Sequence, residues 1–354
     1  MQHVKGRGAQ VNPDNKFLKN SFQSDPEYQE FSRQFEENQE APKTQIIRVH
    51  PKTIINKVSS PDLPFDYSLN PYQGCEHGCV YCYARPTHEY WGYNAGMDFE
   101  SKILVKSNAV QLLERKLDSR SWKVSPIMIS GNTDCYQPVE RKLEITRSLL
   151  KVFADCRHPV GLITKNALVM RDVDLLSELA KDKLVHVVIS ITSLDNKLKN
   201  LLEPRTSSIE QKLKAVSVLS KAKIPVSVMM APIIPSINTK EIMDLAEQVA
   251  DHGARSLNYT ILRLNGVLPE IFEDWLERHF PDRSQKVLNQ IRELHGGKLN
   301  DSRFKTRMSG EGAYSTNISQ MFEMARKKYK LNKKTTAYNL DLFRRPSDRQ
   351  LSIF

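Results

Sequence analysis

The run Pro225-Val-Ser-Val-Met-Met-Ala-Pro232 is followed, after a short turn with Pro235 and Asn238, by Ile242, Leu245, Ala246 and Val249. The first part is nearly continuously apolar, as a strand covered on both faces is. The second places its apolar residues at i, i+3, i+4 and i+7, the stripe of a helix with one buried face. One strand followed by one helix is the unit from which the rest of the chain can be read.

The same alternation extends in both directions. Strand candidates are Asp66–Leu69, Pro126–Ser130, Val160–Thr164, Leu184–Ile191, Pro225–Pro232 and Ser256–Leu262, with helix candidates near 107–118, 139–155, 171–182, 208–222 and 239–252. Strands and helices in strict alternation predict right-handed βαβ units and an α/β fold with a parallel sheet covered on both faces, either a barrel or a doubly wound sheet. In both architectures the chemistry sits at the carboxyl ends of the strands, so the segments just after each strand matter most.

The chain has 354 residues, 40% hydrophobic and 26% charged, with a formal net charge of +11. Its most apolar stretches, 184–191 and 226–234, fall far short of the roughly 20 residues of a spanning helix. The first residues, MQHVKGRGAQVNPDNK, hold no apolar signal-peptide region. These features predict no membrane contact and a cytoplasmic, thiol-reducing location in which five cysteines stay unpaired. Three parts are expected: a polar, partly disordered segment 1–60 with the acidic run Asp25–Glu40, a core 61–265, and a helical, basic extension 266–354 with helices near 269–278, 284–295 and 317–330. Residues 301–354 carry 12 Lys and Arg against 5 Asp and Glu, most of the net charge.

Directly after the first strand candidate stands Asn70-Pro-Tyr-Gln-Gly-Cys75-Glu-His-Gly-Cys79-Val-Tyr-Cys82. Three thiols close in sequence, with Gly74 and Gly78 permitting tight bends, can converge on a soft-metal centre. A structural zinc site with His77 or His88 as fourth ligand is one reading. The other is a [4Fe-4S] cluster with one iron lacking a protein ligand, the mark of a catalytic rather than an electron-carrying cluster.

The spacing Cys75-x3-Cys79-x2-Cys82, with Tyr81 before the third cysteine, resembles the signature of the radical S-adenosylmethionine superfamily. Asn70–Cys75, Gly131-Asn-Thr-Asp134, Glu203-Pro-Arg205, and Leu342-Phe-Arg-Arg-Pro-Ser with the terminal Gln350-Leu-Ser-Ile-Phe are similar to the branch related to spore photoproduct lyase. The resemblance implies a partial (β/α)6 TIM-like barrel. It also implies a [4Fe-4S] cluster on Cys75, Cys79 and Cys82, and S-adenosylmethionine cleaved to a 5′-deoxyadenosyl radical that abstracts hydrogen from a substrate. Implied partners are a DNA photolesion as substrate and a reductant of the flavodoxin or ferredoxin type. Modification of a protein or RNA is an alternative, as is a non-catalytic zinc protein that binds nucleic acid.

Carried onto this chain, the family's cofactor contacts fall on Tyr81, Thr133, Asp134, Ser190, Thr192, Arg205 and Pro232. Asp134 would accept from the cofactor's amine or else form an Asx turn before the next helix. Ser190 and Thr192 share one strand face, and Asp195 is expected to cap the helix that follows. Arg205 would clamp the cofactor carboxylate, or pair with Glu203. The loop at Pro232 would stack the adenine. Cys135 is a candidate hydrogen donor, offset from the family's thiol, and Cys156 an apolar bystander. In the extension, Arg326-Lys-Lys-Tyr-Lys330, Lys333-Lys334 and Arg344-Arg345 alternate with Tyr329, Tyr338 and Phe343, a pattern that can grip phosphates and stack bases.

Overall fold

The computed structural model describes residues 4–17, 43–333 and 337–351. Ten strands form in chain order: β1 Gln45–Val49, β2 Ile55–Lys57, β3 Tyr67–Leu69, β4 Tyr72–Gln73, β5 Lys102–Lys106, β6 Ile127–Ile129, β7 Val160–Thr164, β8 Val185–Ser190, β9 Val226–Ile233 and β10 Leu257–Ile261. The large sheet runs β2-β3-β6-β7-β8-β9-β10. Every neighbouring pair from β3 to β10 is parallel, and only β2 is antiparallel to its neighbour. Strands in sequence order with a helix after each are the expected partial (β/α)6 barrel, open between β2 and β10.

Helices α1 Ala109–Asp118, α2 Ile145–Asp155, α3 Val173–Lys181, α4 Asn196–Leu202, α5 Ile209–Lys221 and α6 Ile242–Asp251 follow successive strands. Their apolar stripes, among them Leu149, Phe153, Leu176, Val216 and Leu245, join the outward residues of the strands in one core. Along β8 and β9, Val185, Val187, Ile189, Val226, Val228 and Met230 are buried, while Val188, Ser227 and Met229 are half-buried. One face meets the helices, and the other faces the inside of the barrel, as the expected barrel requires. The helix expected over 139–155 is broken at Glu144, whose φ is +51. There the buried Glu140 carboxylate accepts Thr146 N–H at 3.0 Å and caps α2.

A second sheet, β1-β5-β4, places β4 directly before the cysteine loop. Of the polar segment 1–60, residues 4–17 bury Arg7, Ala9, Gln10 and Asn15, and the run Asp25–Glu40 lies outside the described residues. Among the described residues no helix is long and apolar enough to cross a membrane.

Beyond β10 come α7 Leu268–His279, α8 Ser284–Leu294 and α9 Gly312–Lys328. Phe322 of α9 stacks on Tyr259 at 4.1 Å, and Arg326 Nε donates to Leu257 O at 2.7 Å. Residues 337–351 cross the amino ends of the strands. Tyr338 stacks on His186 at 4.2 Å, Asn339 N–H donates to Lys183 O at 3.2 Å, and Phe343 meets His158 edge-on at 5.4 Å. This part of the extension lies at the end remote from the cysteine loop, so it does not close the mouth.

His158 is wholly buried, accepts Trp122 Nε1–H at 3.1 Å and donates to the Pro159 carbonyl at 3.0 Å. Burial lowers its pKa from 6.5 to about 4, and burial does the same to His88. Between these values the unfolded chain takes up protons that the folded chain refuses. Stability is thus complete above pH 6.5 and falls as pH drops toward 4, by at most about 1.4 kcal/mol per pH unit per group. Urea unfolding is expected to show this loss between pH 7 and 4.5, and His158→Gln to remove its share. An identical loss in that variant would contradict the assignment.

Candidate active site

The loop from Gly74 to Ala84 leaves the barrel at the carboxyl end of β3. Cys75 and Cys79 are buried and Cys82 is half-buried. Gly78 has φ +68, and a β-carbon there would stand 2.7 Å from Glu100 Oε2, so glycine is required. The loop is held by groups far away in sequence. Arg85 donates from Nε to Cys79 O at 3.0 Å and from Nη1 to Gly96 O at 2.9 Å, and its Nη2 meets Glu100 at 2.5 Å. Glu76 accepts from Val139 N–H at 2.7 Å and pairs with Arg205 at 3.1 Å. Glu100 also accepts Gly8 N–H at 3.0 Å and Ala9 N–H at 2.8 Å, which lays residues 7–10 over the loop, with Ala9 packed in one cluster with Cys79, Val80 and Tyr81.

Burial pushes all three thiols above their usual range. Asp134 adds to this at Cys75 and Glu203 at Cys79, whereas Lys165 acts against it at Cys79 and Arg85 at Cys82. Cys79 and Cys82 face cations on neighbouring elements, whereas Cys75 faces the Asp134 carboxylate.

Around them stand the carboxyl ends of β6, β7 and β8. Asp134 accepts from Tyr136 N–H at 2.9 Å, Thr164 Oγ1–H at 2.7 Å and Lys165 N–H at 2.7 Å, and lies 3.4 Å from His77 Nδ1. Burial opposes its ionisation, but His77 and these donors outweigh burial and lower its pKa. Its side chain therefore ties β6 and β7 to the cysteine loop. Thr133 donates to Tyr72 O at 2.9 Å. Cys135 is wholly buried and packs in one cluster with Leu69, Ile129 and Leu149.

At the end of β8, Glu203 is fully buried. It accepts from Lys212 Nζ at 2.8 Å, Thr192 Oγ1 at 2.5 Å and Thr206 Oγ1 at 3.2 Å, and from the Tyr81 hydroxyl. Burial would raise its pKa, but Lys212 and Lys165 hold its carboxyl far below the usual range. Arg205 pairs with Glu76 and Glu203 with Lys212, so the expected Glu203–Arg205 alternative is replaced. Ser190 is buried at the tip of β8, and Asp195 caps α4 by accepting Lys197 N–H at 2.7 Å. Pro232 is buried, and its carbonyl accepts Asn238 Nδ2–H at 3.0 Å.

Lys165 was not among the expected residues. It stands one residue past β7, half-buried, with Nζ 5.9 Å from the Tyr81 ring centre. Burial disfavours its charge, yet Glu203, Cys79 and Asp134 raise its pKa. Its position just after a strand was the available signal. His77 also contacts Asn166 at 3.3 Å, and His88 is buried between Tyr93 and Phe99. Among the described residues no three His, Cys, Asp or Glu side chains form a group that could hold a single metal ion. Three thiols on one loop match the donor set of a four-iron cube, which offers each thiol a separate iron.

A family model described as the radical SAM superfamily matches residues 69–249. An uncharacterized protein of Mycobacterium tuberculosis is 33% identical over 247 residues, 69% of this chain and 72% of its own. An uncharacterized protein of Methanocaldococcus jannaschii is 28% identical over 248 residues, 70% of this chain and 88% of its own. Among solved structures, spore photoproduct lyase complexed with dinucleoside spore photoproduct aligns with a TM-score of 0.57 at 16% identity, over 80% of this chain and 79% of that one. A mutant of that lyase with bound AdoMet and dinucleoside spore photoproduct aligns with a TM-score of 0.58 at 16% identity and the same coverage, a likeness of fold. The family match runs from the last residue of β3 through the cysteine loop and on past β9, and the chain belongs to the radical SAM superfamily of enzymes.

Proposed function

We propose that the protein holds a [4Fe-4S] cluster on Cys75, Cys79 and Cys82, binds S-adenosylmethionine beside it, and takes a hydrogen atom from a nucleic-acid substrate, a DNA photolesion first among them. The observation that carries this reading is the loop: three shielded thiols at the carboxyl end of the first parallel strand, clamped from four directions. Three ligands leave one iron open to another molecule. When bound and reduced, the cluster supplies the electron that splits S-adenosylmethionine into methionine and a 5′-deoxyadenosyl radical.

The chain's own residues bind and orient. Lys165, kept charged by Glu203, is suited to the cofactor's carboxylate through a charge-assisted hydrogen bond. Ser190 adds a hydroxyl nearby, and the Pro232 loop an apolar surface for the adenine. Tyr81 and Thr192 are fixed by Glu203, and Asp134, Thr133 and Arg205 by backbone and side-chain partners, so their part is to hold the wall of the site in place. The nucleic-acid half of the reading draws on the fold likeness to spore photoproduct lyase and on the basic residues 301–354. A flavodoxin- or ferredoxin-type reductant and a cytoplasmic, reducing location belong to it as well.

Anaerobic reconstitution is expected to load about four irons per chain, and reduction with S-adenosylmethionine to yield 5′-deoxyadenosine by chromatography. Alanine at Cys75, Cys79 or Cys82 should abolish both. A colourless protein with one tightly held zinc would overturn the reading. Lys165→Ala is expected to keep its iron and lose about tenfold in S-adenosylmethionine affinity, the scale of one hydrogen bond to a charged group. Unchanged affinity, measured by equilibrium dialysis, would remove Lys165 from the site.

A further inference from the structure

Arg263 stands two residues beyond β10, at the same end of the barrel as the cysteine loop. Its neighbours Leu262 and Leu264 are buried at 2% and 1% exposure, and both are pinned: Leu262 O accepts from His295 Nε2 at 2.7 Å, and Leu264 N–H donates to Leu299 O at 2.9 Å. The segment then rests on the cysteine loop, where Asn265 Nδ2 donates to Tyr83 O at 3.3 Å and a β-carbon on Gly266 would lie 2.9 Å from Pro86 Cγ. Tyr83, next to Cys82, is close enough for its phenol and the Arg263 guanidinium to shift each other's ionisation.

The half-buried Arg263 guanidinium has no hydrogen bond or ion pair among the described residues. The carboxylates that could serve it are engaged elsewhere. Asp62 accepts Lys305 N–H at 2.7 Å and pairs with Arg307 at 2.5 Å. Asp301 pairs with Arg303 at 2.9 Å and accepts Thr306 Oγ1–H at 3.0 Å. Arg307 lies close enough to lower the Arg263 pKa further, after burial. Arg263 thus stands near carboxylates already bonded to Arg303 and Arg307, in a position that has partly lost water and made no ion pair of its own. Its own donors are unused among the described residues, on a planar fork that suits an oxyanion.

We propose that Arg263 is the contact for a backbone phosphate of a nucleic-acid substrate, placed so that the adjoining nucleotide enters the barrel beside Tyr83 and the cysteine loop. A guanidinium without an ion pair suits a phosphodiester, which carries one negative charge. This inference rests on the nucleic-acid reading above and adds to it a specific anchor on the barrel itself, independent of the basic tail. Arg263 is here a substrate-binding residue, distinct from Lys165, which follows β7.

The test uses the reconstituted holoenzyme and a fluorescein-labelled single-stranded thymidine hexamer, with normal phosphodiester linkages or with uncharged methylphosphonate linkages, followed by anisotropy at several salt concentrations. The wild type is expected to favour the charged hexamer. Arg263→Gln should bind it about tenfold more weakly, leave the uncharged hexamer unchanged, and flatten the salt dependence by about 0.7 in log–log slope, the share of one phosphate on a single strand. Arg263→Lys should recover part of the loss. S-adenosylmethionine affinity and 5′-deoxyadenosine formation without substrate should be unaltered in both variants. Equal binding of the two hexamers by the wild type overturns the proposal, as do an unchanged preference in Arg263→Gln and a loss of S-adenosylmethionine affinity. Absence of 5′-deoxyadenosine from the wild type would instead defeat the radical chemistry, a separate readout.

Discussion

Arg85 and Glu100 are both wholly buried and meet at 2.5 Å, and the cysteine loop, the turn at Ala95–Gly96 and residues 8–9 all bond to one or other of them. A buried ion pair is costly to desolvate and repays that cost only when its remaining donors and acceptors are met. Here they are met by backbone: Arg85 donates to carbonyls of Cys79, Ala95 and Gly96, and Glu100 accepts two amides from the amino-terminal segment. Loss of either partner would leave the other charged and dry, at roughly 3–5 kcal/mol. The fold of the loop is thereby coupled to the charge state of one pair.

Glu203 organises the opposite wall by similar means. Its carboxylate collects hydroxyls from Tyr81, Thr192 and Thr206 together with the Lys212 ammonium, which joins the end of β8, the loop and α5. The residual field of that carboxylate reaches Lys165 and Cys79. Two buried carboxylates therefore frame the thiols, each paired with a cation and each extending its hydrogen bonds into the loop. Such walls hold side chains in fixed positions, as chemistry with a reactive species requires.

The six parallel strands were legible in the sequence because each is a local apolar run followed by a local helical stripe, and Val160–Thr164 was located to the residue. The small sheet was not. β1 is mostly exposed or half-exposed and β4 has two residues, so their existence depends on pairing with β5 rather than on any pattern of their own. The cysteines were visible for the same reason as the strands, since their spacing is local. Lys165 and Arg85 were missed, and Glu203 was read only as a possible partner of Arg205, because their meaning lies in partners distant along the chain.

The amides of Gly8 and Ala9 find their acceptor more than ninety residues further along the chain, at Glu100. A β-carbon on Gly8 would collide with the Gly78 carbonyl, so these two stretches can be brought together only in their finished conformations. During synthesis the amino-terminal residues therefore wait, unseated, while the cysteine loop and its buried ion pair emerge and fold. Until that seating the loop is open on this side, and afterwards Ala9 lies against Cys79. The seating of residues 8 and 9 is thus a late step of folding, and a side chain at position 8 would block it.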